Sequence, residues 1–81
     1  MIKLSISSKI KGAMIAKGKK SYELAEFFGI SAPAMRNKMS RNSFSAEDLI
    51  KIAEFLNFKL AFIIDDDQKI IFDLNDIKAG E

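Results

Sequence analysis

Cysteine, histidine and tryptophan are all missing from the 81 residues, and proline occurs once. Without cysteine, neither a disulfide framework nor a thiolate metal site can form. Without histidine, the commonest general base and most zinc chemistry are lost as well. The N-terminal stretch holds no apolar run long enough for a signal peptide or a membrane span. A soluble, cytoplasmic protein with no membrane partner is therefore expected. No nucleophile–base pair, phosphate-cradling glycine loop or metal cluster occurs, so no catalytic residue, metal, cofactor or small-molecule substrate is expected. The run Asp65-Asp66-Asp67 does not alter that: three consecutive carboxylates cannot converge on one ion, and no EF-hand spacing follows them. Met14, Met35 and Met39 read as core residues.

What is present is a chain short enough for one small domain. A domain of this size buries only about 60% of its unfolded surface, so dimerisation would help it. The formal net charge is only +2, but the charges are unevenly placed. Through Phe44 there are nine lysines and arginines against Glu23 and Glu26, a net of +7. From Ser45 onward four lysines face nine acids, a net of −5. A positive field over the first half is the footprint expected of a polyanion binder, where the bland alternative is an unevenly charged solvated surface.

The positive half contains the most informative stretch, Ser21 to Met39. Leu24, Ala25 and Phe28 share one helical face, and Met35 and Met39 share another. Between them Gly29 suits a left-handed helix stop, and Ser31 suits the next N-cap. Pro33 then falls in the first helical turn, where a missing amide costs nothing. Ile30 and Met35 stand at the spacing of a hydrophobic staple. Helices joined by so short a turn cross steeply, as in a helix-turn-helix.

A first helix with a ragged start is expected over Met1 to Lys17, with Ser5, Ser7 and Ser8 all open as caps and Gly18 as its stop. Its stripe reads Ile6, Ile10, Ala13 and Met14, and Gly12 either permits close packing or is simply tolerated. The third helix is expected to end near Ser40, before a polar connector, Arg41-Asn42-Ser43. Ser45 and Asp48 then stand at capping-box spacing, opening a fourth helix with Leu49, Ile52, Ala53 and Leu56 inward, widened by Ile50 and Phe55. Asn57 suits its stop. From Phe58 the period changes to two, and after the acidic turn Lys69 to Leu74 reads as a returning strand. The expected fold is mainly α: a four-helix domain over residues 1–57, a C-terminal β-hairpin over 58–74 that packs on it or forms a dimer sheet, and a polar, frayed tail over 75–81.

Leu24-Ala25, a glycine four residues after that alanine, Gly29-Ile30-Ser31 and apolar Met35 resemble the Cro/repressor-type (XRE-like) helix-turn-helix family. The likeness extends over most of the first 57 residues, and the hairpin is similar to that of small bacterial and phage-borne members. It implies a four-helix repressor-type domain whose third helix enters the major groove of double-stranded DNA. Two positions depart from the family pattern. Ser21, followed by Tyr22, stands where members often carry a glutamine that helps orient a phosphate and the recognition helix. Ala32-Pro33-Ala34 offers no side-chain hydrogen bond to a base edge, although alanine can touch a thymine methyl.

Base readout is therefore expected from Ser31, Ala32, Pro33, Arg36 and Asn37, with Arg36 suited to guanine and Asn37 to adenine. Phosphate contacts are expected from Lys20, Tyr22, Lys38, Ser40 and Arg41. For each of these the bland alternative is a solvated surface residue. Lys9 and Lys11 face either the DNA side or the opposite one. The function expected is a transcriptional regulator, of repressor type, acting as a homodimer on two half-sites. Its rival is a protein-interaction or dimerisation module that uses the hairpin edge and keeps the helix-turn-helix as scaffold. The dimer contact, whether hairpin strand, fourth helix or none, is left open by the residues.

Overall fold

Three serines compete to start the first helix, and each finds a different use. In the computed structural model, which describes residues 5–77, α1 spans Ile6–Ala16. Ser5 is its N-cap, the hydroxyl accepting from the Ser8 amide at 3.1 Å. Ser7 is buried, and its hydroxyl donates to the carbonyl of Met39 at 2.6 Å. The buried stripe is thus Ser7, Ile10 and Met14, while Ile6 is 40% exposed and off it. Gly18 adopts φ +67° and lets the Lys19 amide reach back to the Met14 carbonyl at 2.9 Å. A Cβ on Gly12 would meet nothing within 4 Å, so that glycine serves no close packing. The expected helix start before Ser5 lies outside the described residues.

Contact density divides the chain between Phe44 and Ser45, where the sequence charge changes sign. The first unit holds α1, α2 (Ser21–Phe28) and α3 (Ala32–Arg41). Its core is Ile10, Met14, Leu24, Ala25, Met35 and Met39, with Leu24 and Met35 fully enclosed. Each such side chain contributes about 1.5–3 kcal/mol of transfer free energy. Helix α3 continues past Ser40 to Arg41, because the stop is Asn42 in the left-handed region at φ +58°. Arg41 therefore rides the last helical turn rather than a connector.

In the second unit α4 spans Ala46–Leu56, and the Ser45–Asp48 capping box is fully formed. The Ser45 amide donates to Asp48 at 3.0 Å, and the Asp48 amide donates to the Ser45 hydroxyl at 3.1 Å. Ile50, Ile52 and Leu56 are buried, with Leu49, Ala53 and Phe55 half-buried beside them. Asn57 closes the helix at φ +59°, and the Phe58 amide donates to Ala53 at 2.8 Å. That bond assigns Phe58 to the helix end, so β1 begins later than alternation suggested, at Leu60–Asp65.

β2 spans Gln68–Phe72 and pairs antiparallel with β1, Leu60 opposite Phe72 and Phe62 opposite Ile70. The register slips between Ile63 and Asp65. Asp65 turns the chain by accepting from the Asp67 amide at 2.9 Å, which is what the acidic run does locally. β2 stops at Phe72 because Asp73 caps a 3-10 turn, Leu74–Asp76. Asn75 and Asp76 are therefore ordered by that cap rather than part of a frayed tail; the expected tail beyond Ile77 lies outside the described residues.

Candidate functional site

The α2–α3 corner is built as its residue types require. Gly29 takes φ +72°, and the Ile30 amide donates to the Ala25 carbonyl at 3.0 Å, closing α2. Two residues later the Ser31 hydroxyl accepts from the Ala34 amide at 3.1 Å and opens α3, with Pro33 in its first turn. The buried edge of the corner is Leu24 and Ala25 against Met35 and Met39 on α3. At the other end of α2 the Lys20 amide donates to the Glu23 carboxylate at 2.9 Å, half of a capping box.

Because Met35 and Met39 point inward, the opposite side of α3 faces solvent. Pro33, Arg36, Asn37, Ser40 and Arg41 are exposed, as is Ser31 ahead of them, and Ala32 is half-buried. The Ser40 hydroxyl donates back to the Asn37 carbonyl at 3.4 Å. Lys20 and Tyr22 are exposed on α2 and its cap. Lys38 is different: it is half-buried, its Nζ donates to the Ser43 carbonyl at 3.2 Å, and it lies 5.5 Å from the centre of the Phe44 ring. That ammonium is engaged in bracing the segment after α3.

Beside the exposed face lies a cleft of about 570 Å³, lined by Lys11, Met14 and Ile15 of α1, then Lys19, Ser21, Arg36, Met39 and Ser40. Its lining is mostly apolar and carries three cations, with no carboxylate among the lining residues. Such a lining attracts anions, while Ser21 supplies a neutral hydroxyl for a phosphate-type oxygen, and Ser40 can do so only by turning its hydroxyl from the Asn37 carbonyl. The structure thus gathers Arg36 and Ser40 from the expected residues with Lys11, Lys19 and Ser21, which had not been assigned to the site. Lys11 had a legible signal in its spacing, one helical turn before Met14 and Ile15. What the spacing lacked was the placement of α1 against α3, which the Ser7 hydrogen bonds supply.

Among the described residues no group of three or more acids could hold a metal ion, and no helix is long and apolar enough to cross a membrane. The family model described as the bacteriophage CI repressor helix-turn-helix domain matches residues 8–69. No curated protein and no solved structure matches the chain.

Proposed function

Since the chain belongs to the bacteriophage CI repressor helix-turn-helix domain family, a family of DNA-binding domains rather than enzymes, we propose that it is a transcriptional repressor acting on double-stranded DNA in the cytoplasm. Helix α3 enters the major groove, and two copies bind two half-sites about one helical turn apart. The observation that carries this reading is the cationic cleft directly beside the exposed face of α3. A groove-reading helix needs a backbone anchor next to it, and the three cations Lys11, Lys19 and Arg36 offer one.

On this reading Asn37 and Arg36 supply the direct hydrogen bonds to base edges, with Ser31, Ala32 and Pro33 close enough for contact but poor in donors. Lys20, Tyr22, Ser40 and Arg41, joined by Lys11, Lys19 and Ser21, meet phosphates. Lys38 reaches a phosphate only by giving up its bond to Ser43. With so few base-reading donors, groove shape and half-site spacing carry a large share of the specificity.

Selection of bound duplexes from a random pool tests the proposal. A palindromic consensus with half-site centres about 10 base pairs apart is the expected result. Binding to random duplex should also fall steeply between low and moderate salt. A chain that shows no salt-sensitive binding even at low salt would overturn the proposal and favour the hairpin-edge interaction module instead.

A further inference from the structure

The cleft beside α3 holds more than a phosphate uses. A phosphate oxygen is held by cations and hydrogen-bond donors, and it gains nothing from apolar walls. Yet Met14 and Ile15 of α1 and Met39 of α3 line the cleft together with Lys11, Lys19 and Arg36. Ile15 is 78% exposed, more than any other large apolar side chain among the described residues.

Short-range geometry puts the two chemistries side by side. Lys11 and Ile15 stand four residues apart on α1, so they share a face of the helix. Gly18 at φ +67° then turns the chain back, and the Lys19 amide donates to the Met14 carbonyl at 2.9 Å. A cation is thereby returned to the apolar patch that the helix has just left. Arg36 and Ser40 come from one side of α3, with Met39 between them in sequence.

Charge and size say what fits. No acid lines the cleft among the described residues, so its field is complementary to an anion. Its volume of about 570 Å³ lies within the range of small-molecule sites, roughly 300–1,000 Å³. An inorganic anion would use only the cations, and a neutral hydrocarbon only the apolar wall. A molecule with an anionic head and an apolar body uses both. A carboxylate head suits Arg36, because the guanidinium fork takes both its oxygens. Methionine side chains adapt readily to a flexible aliphatic body.

We infer that the cleft is a binding site for a small aliphatic carboxylate, its head on Arg36 and the neighbouring lysines and its chain over Met14, Ile15 and Met39. Arg36 is also a proposed base reader, so an occupied cleft withdraws it and ligand and duplex compete. That competition rests on the proposed function; the site itself does not.

Methionine-methyl NMR of the full chain, titrated with decanoate below its micelle-forming concentration, tests the site without DNA. The Met14 and Met39 signals should shift, and Met35, fully enclosed and not part of the lining, should shift far less. Decanol and inorganic phosphate each carry half of the chemistry, and each should shift Met14 and Met39 far less at equal concentration. Ile15→Gln, at a position already in solvent, should weaken decanoate about threefold. Arg36→Gln should weaken it about tenfold. Shifts as large with decanol, or as large with phosphate, overturn the proposal, as does a titration that leaves Met14 and Met39 unmoved. Duplex affinity, read by anisotropy, should fall about tenfold at a decanoate concentration ten times its dissociation constant. Unchanged duplex affinity overturns the competition. A chain that binds decanoate but no duplex overturns the proposed function and supports the site.

Discussion

The backbone amide of Ser7 donates to Oδ1 of Asn42 at 2.8 Å, between residues 35 apart in sequence. Ser7 lies in the first turn of α1, where amides have no partner within the helix. Asn42 ends α3 in the left-handed conformation. One asparagine thus closes one helix and satisfies the start of another, and those two helices supply the walls of the cationic cleft.

Because Asn42 has two tasks, two substitutions separate them. Asn42→Gly keeps the left-handed backbone and loses the acceptor, at about 1 kcal/mol. Asn42→Ala loses both, and should cost about 2 kcal/mol. Urea unfolding of the two variants checks the order. Equal midpoints would mean that the left-handed conformation adds no strain here.

Two glycines should respond with opposite sign. Gly12 sits in the interior of α1 with open space around its absent Cβ, so Gly12→Ala should stabilise by about 0.5–1 kcal/mol. Gly29 has the same open space but φ +72°, so Gly29→Ala should destabilise by about 1 kcal/mol. Thermal melts decide it. A loss in Gly12→Ala would point to a contact with α1 made only in the dimer or on DNA.

Lys11→Ala and Lys19→Ala remove cations from the cleft lining. Each should weaken binding to all duplexes alike, and each should lower the slope of log K against log salt by about 1. Fluorescence anisotropy at four salt concentrations measures both. An unchanged slope would move the anchor elsewhere.

Arg36→Ala and Asn37→Ala should act differently from the lysine variants. Each should cost about 1–3 kcal/mol on the selected site and relax the preference at one base pair. Competition between specific and random duplex reads that ratio. If Arg36→Ala weakens both equally, Arg36 belongs wholly to the phosphate cleft that it lines.

Much of the fold is written in short-range chemistry. Gly29, Ser31 and Pro33 act within a few residues, as do Ser45 with Asp48 and Asn57 at the end of α4, and each stands where its type required. Ser7 was harder to read, since a serine near a helix start is a cap candidate until a carbonyl 32 residues away claims its hydroxyl. The same long-range placement hid Lys11, whose side of α1 has no meaning until α3 is set beside it. Phe58 and Arg41 were misplaced for a simpler reason. Each sits at an asparagine-capped helix end, and a left-handed asparagine lets the helix pattern and the next period overlap by a residue or two. Of the proposed DNA-facing residues the sequence shows the types and their spacing on one side of α3, and the structure adds their exposure.

The charge boundary between Phe44 and Ser45 has a kinetic meaning. The first unit carries charge that draws a polyanion and the second carries charge that repels one, and such fields act on the rate of encounter before any hydrogen bond forms. Salt weakens that attraction and slows arrival. The small net charge conceals this: a chain of +2 behaves at a distance as nearly neutral, and becomes a strong cation only within about a Debye length of the duplex.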